Sequence, residues 1–203
     1  NIRVLGCDGG EMAGFSTPSL LLGDAILLDA GSFGSVLDFE QQLNIEHVVL
    51  SHAHLDHCKD LALFSDLIIG HRNRPVKIHA SAETLAALRK HFFNNVLWPD
   101  FFSLPSPEAP VLREAPIVPG KPFAVGQLTF RGFETNHPVP TLGFIVRSTS
   151  GSFVYSGDTG PTEEIWQATQ RLRNLKLILL ECKFPNEMQF IADAAGHLTP
   201  KTL

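Results

Sequence analysis

The apolar run Val48-Val49-Leu50 leads directly into Ser51-His52-Ala53-His54-Leu55-Asp56-His57. A short strand that ends in three imidazoles and a carboxylate belongs at the tip of a buried sheet, with the polar loop gathered at its end. Neutral imidazole and carboxylate together suit zinc and its first-row neighbours. A hydrolytic tetrahedral ion takes three protein ligands and keeps one position open, so four candidates on one loop point to two ions sharing a site. A lone histidine is usually a half-buried polar residue, and a His-rich tract can be an expression tag. This tract is internal, follows a strand and keeps H-x-H-x-D-H spacing, which neither alternative explains.

The rest of the chain narrows the class. Its 203 residues suffice for one domain with a real core, and 44% apolar with 18% charged residues is ordinary globular composition. A net charge of -5 leaves no basic footprint for a general nucleic-acid binder, so no large nucleic acid is expected as partner. No apolar run approaches the roughly 20 residues that span a bilayer, so no membrane is expected either. Cys7, Cys58 and Cys182 form an odd, sparse set that argues against a disulfide framework and for a reducing compartment. The first residue is Asn1 rather than Met, and a removed signal peptide and a trimmed start look alike, which leaves cytoplasm and periplasm both open.

Alternating signals run along the chain. Residues 2–5 read as a strand, and 19–22 with 25–29 as a hairpin around Gly23-Asp24. A helix is expected near 36–43, then the strand 47–50, the helix 60–69, the strand 76–79 and the helix 82–93. Residues 94–122 hold many prolines together with Trp98, Phe101 and Phe102, and read as an ordered irregular loop near a site. Strands are expected at 128–133, 142–147, 152–156 and 175–181, with a helix over 161–172. Two strand sets, each followed by helices, predict a single α/β domain over 1–203, an αββα four-layer sandwich. Leu198-Thr199-Pro200 reads as a helix start with Thr199 as N-cap; the sequence stops soon after, so a C-terminal part is expected to be missing.

Three later polar spots sit at strand ends as the first does: His137 after the strand 128–133, Asp158 in Ser156-Gly157-Asp158-Thr159-Gly160, and His197 in Gly196-His197-Leu198-Thr199-Pro200. Each alone is a weak signal, because Gly-Asp-Thr-Gly is usually a turn. Alongside the first motif they gain weight, since two ions need about six protein ligands and an aspartate bridges well. With Leu28-Asp29-Ala30-Gly31, Leu97-Trp98-Pro99-Asp100 and Glu181-Cys182-Lys183-Phe184-Pro185, these stretches make the chain resemble the metallo-β-lactamase fold superfamily. Within it, the chain resembles the class II cyclic-nucleotide phosphodiesterases.

The resemblance implies hydrolysis of cAMP or cGMP to the 5'-monophosphate by a hydroxide shared between two divalent ions, zinc or alternatively manganese. It assigns His52, His54 and His137 to the first ion, Asp56 and His57 to the second, and Asp158 to both. The family pattern has a further histidine on the second ion beyond His197, where this sequence holds no residues. Asp56 or Asp158 would steer the hydroxide, and His197 would bind the phosphate or protonate the leaving oxygen. Trp98, with Phe101 and Phe102, would stack on the nucleobase, or else simply pack the loop. Lys183 stands where a small residue such as Ser is expected. The competing readings are a tRNase Z-like phosphodiesterase, a lactone or thioester hydrolase, or a metal-binding paralogue without turnover. Apolar surface near Phe92-Phe93 would suit a homodimer.

Overall fold

The computed structural model describes residues 1–170 and 172–203. They form two compact units, residues 1–116 and 117–203, each with its own sheet and its own buried cluster.

The first unit contains β1 (Ile2–Gly6), β2 (Ser19–Leu22), β3 (Ile26–Leu28), β4 (His47–Val49), β5 (Val76–Ala80), a small ribbon of β6 (Pro105–Ser106) and β7 (Ala109–Pro110), and β8 (Leu112–Pro116). Its helices are α1 (Phe39–Leu43), α2 (Leu55–Cys58), α3 (Leu61–Ile68) and α4 (Ala82–His91). The main sheet has the order β1-β2-β3-β4-β5-β8. The expected hairpin forms between β2 and β3, and Gly23 supplies the positive φ of its turn. From β3 onward the strands are parallel. Parallel strands are covered on both faces, which is why Leu27, Leu28, Val48, Val49 and Leu50 are all fully buried. Leu28 pairs with Val49, so Asp29 and the loop that starts at Ser51 leave the sheet side by side at the carboxyl ends of the strands. Open parallel sheets bind ligands at that edge.

The helices follow their sequence signals. Asp38 and Gln41 form a reciprocal capping box that starts α1, later than the expected 36–43. In α3, Leu61, Phe64 and Ile68 face the core at helical spacing. Ser81 caps α4 by accepting from Thr84 N. Phe92 and Phe93, expected to expose apolar surface, turn inward instead. Phe93 is 1% exposed and meets the Phe101 and Phe102 rings, while Phe92 packs half-buried against the same cluster.

The second unit is a five-stranded sheet of β9 (Pro122–Val125), β10 (Leu128–Glu134), β11 (Leu142–Ser148), β12 (Gly151–Tyr155) and β13 (Leu175–Leu179) in the order β13-β12-β11-β10-β9. It is antiparallel except for the β12–β13 pair. A parallel pair needs a crossover, which α5 (Glu164–Gln170) provides. Residue 171, inside the expected helix 161–172, lies outside the described residues. α6 (Gln189–Ala195) ends at Gly196 in the left-handed conformation, φ 68°. Not anticipated from the sequence are α2, the β6–β7 ribbon, β8, β9 and α6. β8 and β9 are edge strands bounded by Pro116 and Pro122, positions where a missing N–H is tolerated. No helix among the described residues is long and apolar enough to cross a membrane.

One part-buried histidine pair in the first unit makes stability depend on pH. His47 Nδ1 and His79 Nε2 lie 3.0 Å apart across neighbouring parallel strands. Burial, then the adjacent His47 and Lys77, push the His79 imidazole down from 6.5 to about 4. A lowered native value means that the unfolded chain binds the proton first. The contribution is therefore fully present above about pH 6.5 and is lost as pH falls toward about 4, with a ceiling of about 3 kcal/mol. Urea unfolding of metal-free protein between pH 7.5 and 5 is expected to show this loss, and a His79→Gln variant a shallower one. Equal slopes in both proteins would exclude His79 as the cause.

Candidate functional site

In the first unit, the 51–57 loop gathers its four candidate ligands. The His52 ring lies 4.6 Å from His54 and 4.3 Å from His57, centroid to centroid. His57 Nε2 is 3.8 Å from Asp56 Oδ2. His52 and His57 are buried, which excludes them as ordinary surface imidazoles.

The group that organises them is Asp29, which is fully buried and has φ 57° although it is not glycine. Such a conformation persists only where the surroundings impose it. Asp29 Oδ1 accepts from Ser51 N at 2.7 Å; Oδ2 accepts from Ser51 Oγ at 2.9 Å and meets His57 Nδ1 at 2.8 Å. Since Ser51 Oγ gives its proton to Asp29, it accepts from His52 Nδ1, 3.0 Å away. One carboxylate thus sets the tautomer of two rings, His57 directly and His52 through Ser51. In both, the proton sits on Nδ1 and the lone pair on Nε2, the arrangement of a metal-ligating histidine.

Gly31, two residues on, lets this turn pass tightly under the loop. Ala30 N donates to His57 O at 2.8 Å and Gly31 N to Pro18 O at 3.0 Å. Cys58, next to His57, is not a nucleophile: burial, then the charges of Asp29 and Asp56, push its thiol up to about 12.

The second unit builds a comparable cluster around Glu181. Its Oε1 accepts from Thr159 N at 3.0 Å and meets His197 Nδ1 at 2.8 Å; its Oε2 accepts from Lys183 N at 3.0 Å and Leu198 N at 3.3 Å. His197 is thereby held with Nε2 outward. His137 is held similarly, its Nδ1 3.0 Å from Gly196 O. The His137 and His197 rings meet edge to face at 5.1 Å. The left-handed Gly196 permits this close pass, because a Cβ there would lie 2.6 Å from Pro138 Cδ. Asp158 follows the positive-φ Gly157 and is buried, with its carbonyl accepting from Thr135 Oγ1 at 2.8 Å. Ligand atoms of Asp158, Glu181 and His197 lie within 4.8 Å of one another.

The donor sets suit divalent metal: imidazole Nε2 and carboxylate oxygen, with Nδ1 of four histidines held by an oxygen partner. Asp29 and Glu181 were missed as functional residues. Their only sequence signal is their place in the Leu28–Gly31 and Glu181–Pro185 stretches. Of the two readings of Trp98, nucleobase stacking or packing of its loop, the contacts in the first unit are those of packing. Its indole N–H donates to Ala62 O on α3 at 3.0 Å and its ring packs on the core, while Phe101 and Phe102 are buried. All three are packing groups of the first unit.

A fold of two mixed α/β halves with His/Asp clusters at strand ends defines a metallohydrolase class, and the chain belongs to the beta-lactamase superfamily domain family, whose model matches residues 26–203. The chain is 31% identical to a "Probable 3',5'-cyclic-nucleotide phosphodiesterase" of Yersinia pestis over 94% of its own length, and it spans 61% of that relative. It is 28% identical to a 3',5'-cyclic-nucleotide phosphodiesterase of Aliivibrio fischeri, over 98% of this chain and 72% of that one. Among solved structures, unliganded yeast PDE1 matches 99% of the chain and 79% of its own with a TM-score of 0.83 at 18% identity, a likeness of fold. The chain has the metallo-β-lactamase fold expected from its sequence.

Proposed function

We propose that the chain is a metal-dependent phosphodiesterase that opens 3',5'-cyclic nucleotides, cAMP or cGMP, to 5'-monophosphates. The names of its relatives support the substrate class. The observation that carries the chemistry is the shared anchoring of His52, His57, His137 and His197, each presenting Nε2. We assign His52, His54 and His137 to one ion, Asp56 and His57 to a second, and Asp158 to both, as the resemblance implies. Two divalent ions, zinc or manganese, would supply hydroxide at neutral pH and neutralise the phosphate oxygens.

The protein's own part is proton handling. Glu181 holds His197 through Nδ1, and the His197 Nε2 can hand a proton to the leaving 3'-oxygen. Asp56 and Asp158, as carboxylates, can orient the attacking water.

A panel of cAMP, cGMP, bis-p-nitrophenyl phosphate and a lactone tests the reading. Turnover of the cyclic nucleotides is expected, abolished by chelation and by His54→Ala or Asp56→Ala while the protein stays folded. Wild-type activity in a metal-stripped sample of either variant would sink the proposal. Turnover of the lactone alone would move the chain to another branch of the family.

A further inference from the structure

The second unit's ligand cluster already contains a cation of its own. Lys183 Nζ lies 3.9 Å from Asp158 Oδ2, and the lysine side chain is 23% exposed. Its backbone is fixed beside the cluster, because Lys183 N donates to Glu181 Oε2, the carboxylate that also meets His197 through its other oxygen. The ammonium thus lies beside the Asp158 carboxylate on a side chain that is mostly shielded from solvent.

We infer that Lys183 is a charge-tuning and anion-binding residue: it competes with a divalent ion for Asp158, and once the ion is bound it turns to the phosphate of the substrate. The inference rests on Asp158 being a metal ligand, as proposed above.

The physical argument is one of sign. An ammonium near Asp158 lowers the electrostatic gain of bringing a divalent cation there, because like charges repel. The same ammonium raises the affinity for an anion, because the phosphodiester carries negative charge and lysine serves as a compact phosphate-binding point charge. Removing it should therefore move the two affinities in opposite directions. A purely structural lysine would, on removal, weaken both together.

The test uses Mn2+ and inorganic phosphate with wild type, Lys183→Gln and Lys183→Arg. Lys183→Gln is expected to bind Mn2+ several-fold tighter. Phosphate should bind the metal-loaded variant roughly tenfold more weakly, the order of one lost charge-assisted contact. Lys183→Arg, which keeps the charge, is expected to stay within about threefold of wild type on both. Unchanged phosphate affinity in Lys183→Gln, or Mn2+ and phosphate affinities falling together, would overturn the assignment while the reading of the chain as a metal binder stands. Wild-type protein that binds no divalent ion would overturn the metal reading itself.

Discussion

Asp29→Ala is expected to destabilise the metal-free protein by about 3–5 kcal/mol and to weaken divalent-metal binding 10- to 100-fold. The stability loss follows from what Asp29 satisfies. Without it, the buried Ser51 N–H, the Ser51 hydroxyl and the His57 Nδ1 proton lose their shared acceptor, at about 1–3 kcal/mol for each group left unmet. Alanine also fits poorly at φ 57°, which asparagine and aspartate tolerate better. The metal effect has a separate cause: the carboxylate holds the proton on Nδ1 of His57 and, through Ser51, of His52. Asp29→Asn separates the two effects. It keeps the shape and the left-handed backbone, so stability should fall less. The charge is gone, and its NH2 can face His57 Nδ1, so chelator competition should still show weakened binding. An Asn variant with wild-type metal affinity would remove the tautomer argument and leave Asp29 as a packing residue only.

The legible parts of the sequence were those whose signal is local. The H-x-H-x-D-H loop could be read because its ligands are contiguous and a buried strand precedes them. The β2–β3 hairpin could be read from Gly23-Asp24, and α3 and α4 from their spacing. Asp29 could not, because its role rests on contacts 22 and 28 residues away with no pattern in between. Glu181 was hidden for the same reason: its partners Thr159 and His197 lie 22 and 16 positions off. Trp98 stays open between stacking and packing in the sequence, because an aromatic in a proline-rich loop looks the same whether it faces a ligand or a core. Its indole bond to Ala62 O speaks for packing, and that bond spans 36 residues. Edge strands β8 and β9 carry proline at a boundary, which reads as a strand breaker until the edge position is known.

Gly31→Ala tests whether the turn that carries Asp29 and the loop that carries Asp56 and His57 are fitted to each other. A Cβ at Gly31 would collide with the backbone oxygen of Asp56 and would lie 2.6 Å from Thr17 Oγ1 and 2.8 Å from Pro18 O. None of these can swing away as a long side chain could. Thr17 is buried and bonded to Ser32 Oγ at 2.7 Å, and Pro18 O already receives Gly31 N. On the other side, Ala30 N is bonded to His57 O, and Asp60 Oδ2 accepts from both Phe33 N and Gly34 N at 2.8 Å. The strain must then be relieved by shifting α2, the element that holds both ligands. A loss of about 3 kcal/mol or more is expected, with folded molecules binding metal at least about tenfold more weakly. Gly34→Ala is the internal control. Its Cβ would meet only the Asp60 carboxylate, at 3.3 Å, so a change within about 1 kcal/mol and near-normal metal binding are expected. Matching urea midpoints for the two variants would show that the tight pass at Gly31 is not what holds Asp56 and His57 in place.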